Sequence, residues 1–125
     1  MKLKFLSASD VELIHDEVIT ENELHGLALN KSLDAAIARI SYRCQFGMIR
    51  DIYDLAATYA VVIATGHVFN DANKRTAYRA MRMVLVLNGI EIGFDQQQTV
   101  SKMVDVAMGK TDEISLAAWL RDQRS

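Results

Sequence analysis

The feature that most constrains this chain is the segment Tyr59-Ala60-Val61-Val62-Ile63-Ala64, apolar at every position and followed closely by Gly66. A helix that is apolar all round has no face to offer water, so it belongs in the middle of a bundle. Ahead of it the pattern is amphipathic, with Ile52 and Leu55, so the spacing predicts one helix from about Asp51 to Thr65. Gly66 is expected to end it, as glycine does at helix C-termini. The run is far too short to span a bilayer.

The rest of the chain reads as helices arranged around that one. It contains no proline, and no period-2 alternation lasts long enough to build a sheet. Ser9 and Glu12 have capping-box spacing and are expected to open a first helix to about Thr20, with Val11, Ile14 and Val18 as its apolar stripe. Residues Glu21 to Asn30 read as a loop turning at Gly26, and a second helix is expected from Ser32 to Arg43. A fourth begins at Asp71 or Ala72 and runs to Asn88, stopped by Gly89. Two more are expected, Gln96 to Met108 capped by Asp95, and Leu116 to Arg124 capped by Ser115. Glu91 to Phe94 reads as a short extended segment. The expectation is an all-α, compact bundle of about six helices in one domain, 1–125, a length that can bury roughly two-thirds of its unfolded surface.

Composition excludes several functions. Hydrophobic residues make up 50% and charged residues 24%, as in a soluble globular protein. A net charge of -2 supplies no basic field for DNA or an anionic membrane, so neither is an expected partner. The N-terminal residues are too poor in apolar side chains for a signal peptide, which leaves the cytoplasm as the expected compartment. Cys44 is the sole cysteine and reads as a small buried hydrophobe. His15 and His25 read as surface or loop residues outside any site.

The most polar stretch, His67-Val68-Phe69-Asn70-Asp71-Ala72-Asn73-Lys74-Arg75, falls between the two most apolar helices. A polar loop held by central helices is where a site is expected. Its residue types suit phosphate transfer. An imidazole, with an ordinary pKa of about 6.5, can take the proton of an attacking hydroxyl. A carboxylate can hold Mg²⁺. The first turn of a helix offers N–H groups to an anion, Arg grips phosphate in a fork, and Lys adds a point charge. The same Asn/Asp cluster could also be an ordinary helix cap. Lys74 and Arg75 in a first turn oppose the helix dipole, which favours a ligand as the reason for their presence.

The string HVFNDANKR resembles the Fic/Doc superfamily signature, H-x-F-x-[DE]-[AG]-N-[GK]-R, and the flanking apolar helices match that family's organisation. Typical Fic members carry glycine where this chain has Lys74, and a second arginine where it has Tyr78; they move adenylyl groups from ATP onto a hydroxyl. Lys74, Tyr78 and Val68 are similar instead to the Doc branch, the toxins of toxin–antitoxin modules. The resemblance implies a kinase that transfers the ATP γ-phosphate to a Thr/Ser hydroxyl of elongation factor Tu and arrests translation; adenylylation (AMPylation) is the alternative. It implies His67 as general base and Asp71 as the Mg²⁺ ligand. Ala72, Asn73, Lys74 and Arg75 are implied as nucleotide- and phosphate-binding residues. ATP is the implied co-substrate, held in reverse because Lys74 fills the space glycine leaves. No self-inhibitory [ST]-x-x-x-E-[GN] motif is evident, so a separate antitoxin is the implied partner and control.

Overall fold

The structure, a computed structural model, describes residues 2–123. Six helices follow in chain order: α1 (Ala8–Val18), α2 (Leu33–Gln45), α3 (Ile52–Gly66), α4 (Asn73–Leu87), α5 (Gln96–Ala107) and α6 (Glu113–Gln123). They form an all-α bundle with no strand among the described residues beyond one isolated bridge, Leu27 to Phe69.

The apolar segment is the axis of the bundle, as its composition requires. Leu55, Ala56, Ala57, Tyr59, Ala60 and Ile63 are fully buried, and α3 packs against α2, α4, α5 and α6. Its closest partner is α4, which buries Ala77, Ala80, Met81 and Val84. Alanines on both helices keep side-chain bulk small where the two backbones approach. Each buried Leu or Ile contributes about 1.5–3 kcal/mol relative to exposure. Cys44 is half-buried against this core, and burial pushes its thiol up from the ordinary value.

Polar contacts fix the start and the middle of α3. Its N-cap is Asp51, whose carboxylate accepts the Asp54 N–H at 2.8 Å. Arg121 on α6 reaches both Asp51 and Asp54, at 2.8 and 2.9 Å. Burial pushes the Asp54 carboxyl up, but hydrogen bonds from Arg50 and Arg121 outweigh it and leave the group below the usual carboxylate range. Farther along, the Tyr59 hydroxyl donates to the Leu6 carbonyl at 2.6 Å and accepts the Leu6 N–H at 2.9 Å. Burial pushes this phenol up to about 12.

Several boundaries differ from the sequence expectation. The first capping box is Ser7 with Asp10, not Ser9 with Glu12: Ser7 Oγ accepts the Asp10 N–H at 3.1 Å and Asp10 accepts the Ser7 N–H at 2.8 Å. Tyr59 holds the neighbouring Leu6 in the core and so sets where the chain turns into α1. The last helix opens at Glu113 because Asp112, rather than Ser115, supplies the capping oxygen, 2.8 Å from the Ser115 N–H. Arg124, the expected end of that helix, lies outside the described residues. Residues 91–94 form no strand. No described helix is long and apolar enough to cross a membrane.

Candidate active site

The loop between α3 and α4 is built from two left-handed residues that are not glycine. His67 caps α3 at φ 47°, ψ 46°, and Ala72 precedes α4 at φ 65°, ψ 28°. Gly66 was expected to take the terminating conformation, but it stays in the helix, where a Cβ would meet Val68 Cγ2 at 3.2 Å. Left-handed backbone costs an L-residue about 1–3 kcal/mol, and such strain concentrates where a site needs a particular geometry. Here it turns the chain sharply at His67 and again at the entrance to α4.

Four contacts hold the loop in that shape. Asn73 Oδ1 accepts the Phe69 N–H at 3.0 Å, while its Nδ2 donates to the Phe69 carbonyl at 2.9 Å. Asn70 Nδ2 donates to the His25 carbonyl at 3.0 Å. Backbone bonds from Ala28 N–H to Val68 carbonyl (2.8 Å) and Asn70 N–H to Gly26 carbonyl (3.1 Å) lay residues 26–28 beside residues 68–70. Finally, Phe69 is buried and stacks on His15, ring centroids 3.9 Å apart and 5° from parallel.

His15 is therefore not the surface residue its sequence position suggested. It is 1% exposed, and its Nε2 lies 2.9 Å from the Asp71 carbonyl. That acceptor has no proton, so Nε2 carries one and donates. A signal for this was present: His15 stands four residues after Val11 and three before Val18, on the apolar stripe of α1. Burial of an imidazole calls for a hydrogen-bond partner, and the loop provides it. His25 lies exposed in the loop before α2, with its carbonyl on Asn70.

Asp71 is held from two sides. His15 donates to its carbonyl, and the Leu24 N–H donates to its carboxylate Oδ2 at 2.8 Å. It does not cap α4. Ala72 occupies the N-cap, and no side chain caps the first turn. The N–H groups of Asn73, Lys74 and Arg75 thus open the helix without a side-chain acceptor, beside a cavity of about 430 Å³ that His67, Asn70, Asp71 and Lys74 also line. Lys74 is exposed. Arg75 Nη1 donates to the Val18 carbonyl at 2.6 Å, and Nη2 pairs with Glu23. The Arg75 hydrogen bond holds the Glu23 carboxyl down at about 2.

The residues suit Mg²⁺. That ion is satisfied by one or two carboxylates, with water and phosphate oxygens completing its shell. Asp71 offers a hard carboxylate at the cavity, and its Oδ1 has no hydrogen-bond partner among the described residues.

This geometry, with His67 at the head of the loop and uncapped amides at its foot, agrees with sequence comparison, in which residues 5–85 match the Fic/DOC family. The chain belongs to the Fic/Doc family. It is 33% identical over 120 residues to the protein kinase doc of Escherichia phage P1, covering 95% of this chain and 94% of that protein. It is also 35% identical over 92 residues to the Toxin Doc of Mycolicibacterium smegmatis, covering 70% of each. In this Fic/Doc chain the signature residues His67 to Arg75 all fall on the strained loop and the first turn of α4.

Proposed function

We propose that this chain is the toxin of a toxin–antitoxin system and a protein kinase that transfers the γ-phosphate of ATP to a Thr or Ser hydroxyl of elongation factor Tu. The observation that carries the reading is the cavity shared by His67, Asp71 and the uncapped first turn of α4. Phosphoryl transfer asks mainly for positioning and charge neutralisation. The likeness to a relative named a protein kinase supports kinase over adenylyltransferase chemistry. So do Lys74 and Tyr78, which stand where adenylylating members carry glycine and arginine.

In this reading the substrate hydroxyl lies beside His67. Its oxygen forms a bond to the γ-phosphorus, the bond from that phosphorus to the β–γ bridging oxygen breaks, and ADP departs. The hydroxyl proton passes to the imidazole of His67. N–H groups of Asn73, Lys74 and Arg75, with the Lys74 ammonium, hold the phosphate oxygens. Asp71 would hold Mg²⁺, which supplies charge neutralisation on those oxygens. The Asn73 side chain acts indirectly, since its amide is spent on Phe69. The toxin acts in the cytoplasm, and an antitoxin restrains it.

Incubating elongation factor Tu with this protein and Mg-ATP labelled at the α- or the γ-phosphate tests the proposal. Only the γ-label should transfer, and intact mass should rise by one phosphoryl group. Transfer of the α-label would replace the kinase reading with AMPylation.

A further inference from the structure

Residues 20–30 lie between α1 and α2 and run beside the phosphate loop, yet none of them is buried. Side-chain packing therefore does little to hold this segment, and polar contacts set its place. Glu23 and Leu24, adjacent in the chain, make two of them. The Leu24 N–H donates to Asp71 Oδ2 at 2.8 Å, and the Glu23 carboxylate pairs with Arg75, which stands about one helical turn after Asp71. A single link would let the segment pivot on the loop; two links fix it.

We propose that Glu23 and the Arg75 side chain are positioning residues: they form a strut that keeps the Leu24 N–H on Asp71 Oδ2 and so leaves the other carboxylate oxygen, Oδ1, free for Mg²⁺. The proposal rests on the kinase reading above, in which Asp71 holds that ion. Arg75 then meets phosphate through its backbone N–H alone, and its guanidinium belongs to the frame of the site.

Both ends of the pair are already engaged by the fold. Glu23 Oε1 accepts the Thr20 N–H at 2.9 Å and the Thr20 hydroxyl at 3.0 Å, which leaves Oε2 for Arg75. Arg75 Nη1 donates to the Val18 carbonyl at 2.6 Å, at the end of α1, where carbonyls lack helical partners and a cation is favoured. With both terminal nitrogens occupied, a fork around phosphate would have to give up a carboxylate and a carbonyl. Lys74 differs: it is exposed, and its ammonium has no hydrogen-bond or ion-pair partner among the described residues. The two adjacent cations thus divide, one open to a ligand and one committed to holding the segment. Groups that orient a metal's ligand typically contribute about 10–100-fold in metal affinity, which is the scale of effect expected of this strut.

Glu23→Ala, Arg75→Ala and the double variant test this through two measurements that need no turnover. Amide exchange by NMR follows the Leu24 N–H, and calorimetry follows binding of the β,γ-imido analogue of ATP with and without Mg²⁺. We expect Leu24 to exchange at least about tenfold faster in each single variant while the amides of α3 keep their wild-type protection. Each should bind the analogue about tenfold more weakly with Mg²⁺, and within about twofold of wild type without it. Because the two residues act through one link, the double variant should match the single ones within about twofold. If Arg75→Ala weakens binding of the Mg²⁺-free analogue and Glu23→Ala does not, the guanidinium is a phosphate ligand and the proposal falls. Leu24 exchange that neither variant alters overturns it as well, as does a response to Mg²⁺ that both variants keep in full. Transfer of the α-label by wild type would sink the kinase reading by itself. Failure of the strut alone would show as γ-transfer by wild type with Leu24 exchange unaltered in the variants.

Discussion

Asn73 and Phe69 grip each other in both directions: the Asn73 side-chain amide accepts the Phe69 N–H at 3.0 Å and donates to the Phe69 carbonyl at 2.9 Å. One amide side chain thus imitates a strand partner and closes the loop on itself, between the strained turns at His67 and Ala72. Phe69 is in turn buried against His15, which ties the loop to α1.

Asn73→Ala should therefore damage the site without touching substrate. It strips the buried Phe69 backbone of both partners, at a cost of about 1–3 kcal/mol for an unsatisfied group. Chemical denaturation should show that loss. Turnover per folded molecule should fall as well, because the backbone that sets His67 loses its clasp. Asn73→Asp retains the acceptor and should recover part of the stability; equal losses in both variants would argue against the two-way grip.

Substitutions at His67 separate chemistry from strain. Both His67→Ala and His67→Gly should lose about 10²–10⁴ in transfer rate, as expected when a general base is removed. Their stabilities should differ. At φ 47° glycine is unstrained and alanine is not, so the glycine variant should be the more stable by about 1 kcal/mol. Thermal unfolding compares the two directly, and the opposite order would mean that the left-handed turn relaxes in the variant.

For Asp71→Asn, the fold should persist because an amide oxygen can still accept the Leu24 N–H. The charge that would hold Mg²⁺ is gone, and transfer should drop on the order of 10²-fold, the scale for one electrostatic contributor. A Mg²⁺ titration of the residual rate checks this, and an unchanged half-saturation point would remove Asp71 from the metal site.

His15→Phe keeps an aromatic ring against Phe69 and removes the donor to the Asp71 carbonyl. We expect the variant to fold, with turnover reduced about 100-fold by misplacement of Asp71 and Ala72. His15→Gln restores a donor of similar reach and should regain activity in spite of losing the stack. Should phenylalanine be as active as wild type and glutamine be the damaged variant, packing alone would account for His15.

Acid should release the loop before α2. The Arg75 hydrogen bond holds Glu23 at about 2 against an ordinary 4.5. A depressed carboxyl stabilises the fold above its unfolded value, and that stabilisation drains away as pH falls from about 4.5 toward about 2. Glu23→Gln abolishes the titration, so its melting temperature should change less across that window than wild type's. Parallel curves would show that the pair adds nothing to stability.

Local chemistry determined much of this protein. An apolar segment with no polar face could only be the bundle axis, and the glycines and capping residues marked most helix ends to within a residue or two. The nine residues from His67 to Arg75 stand out in the sequence because their polarity contrasts with the helices on either side. What the tertiary structure alone decided is how those residues are held. The start of α1 is not legible locally, because Ser7 and Ser9 both have capping-box spacing and only the distant Tyr59 selects Ser7. His15 bore the spacing of a buried residue, yet its partner at Asp71 lies 56 positions away. Glu23 and Arg75 are 52 apart, and nothing in either neighbourhood announces the pair. Period and propensity act over a helical turn or two, so they fix elements and their faces. Hydrogen bonds and ion pairs need atoms within about 3 Å, and across that much intervening chain only the packing of α1, α3 and α4 can bring them there.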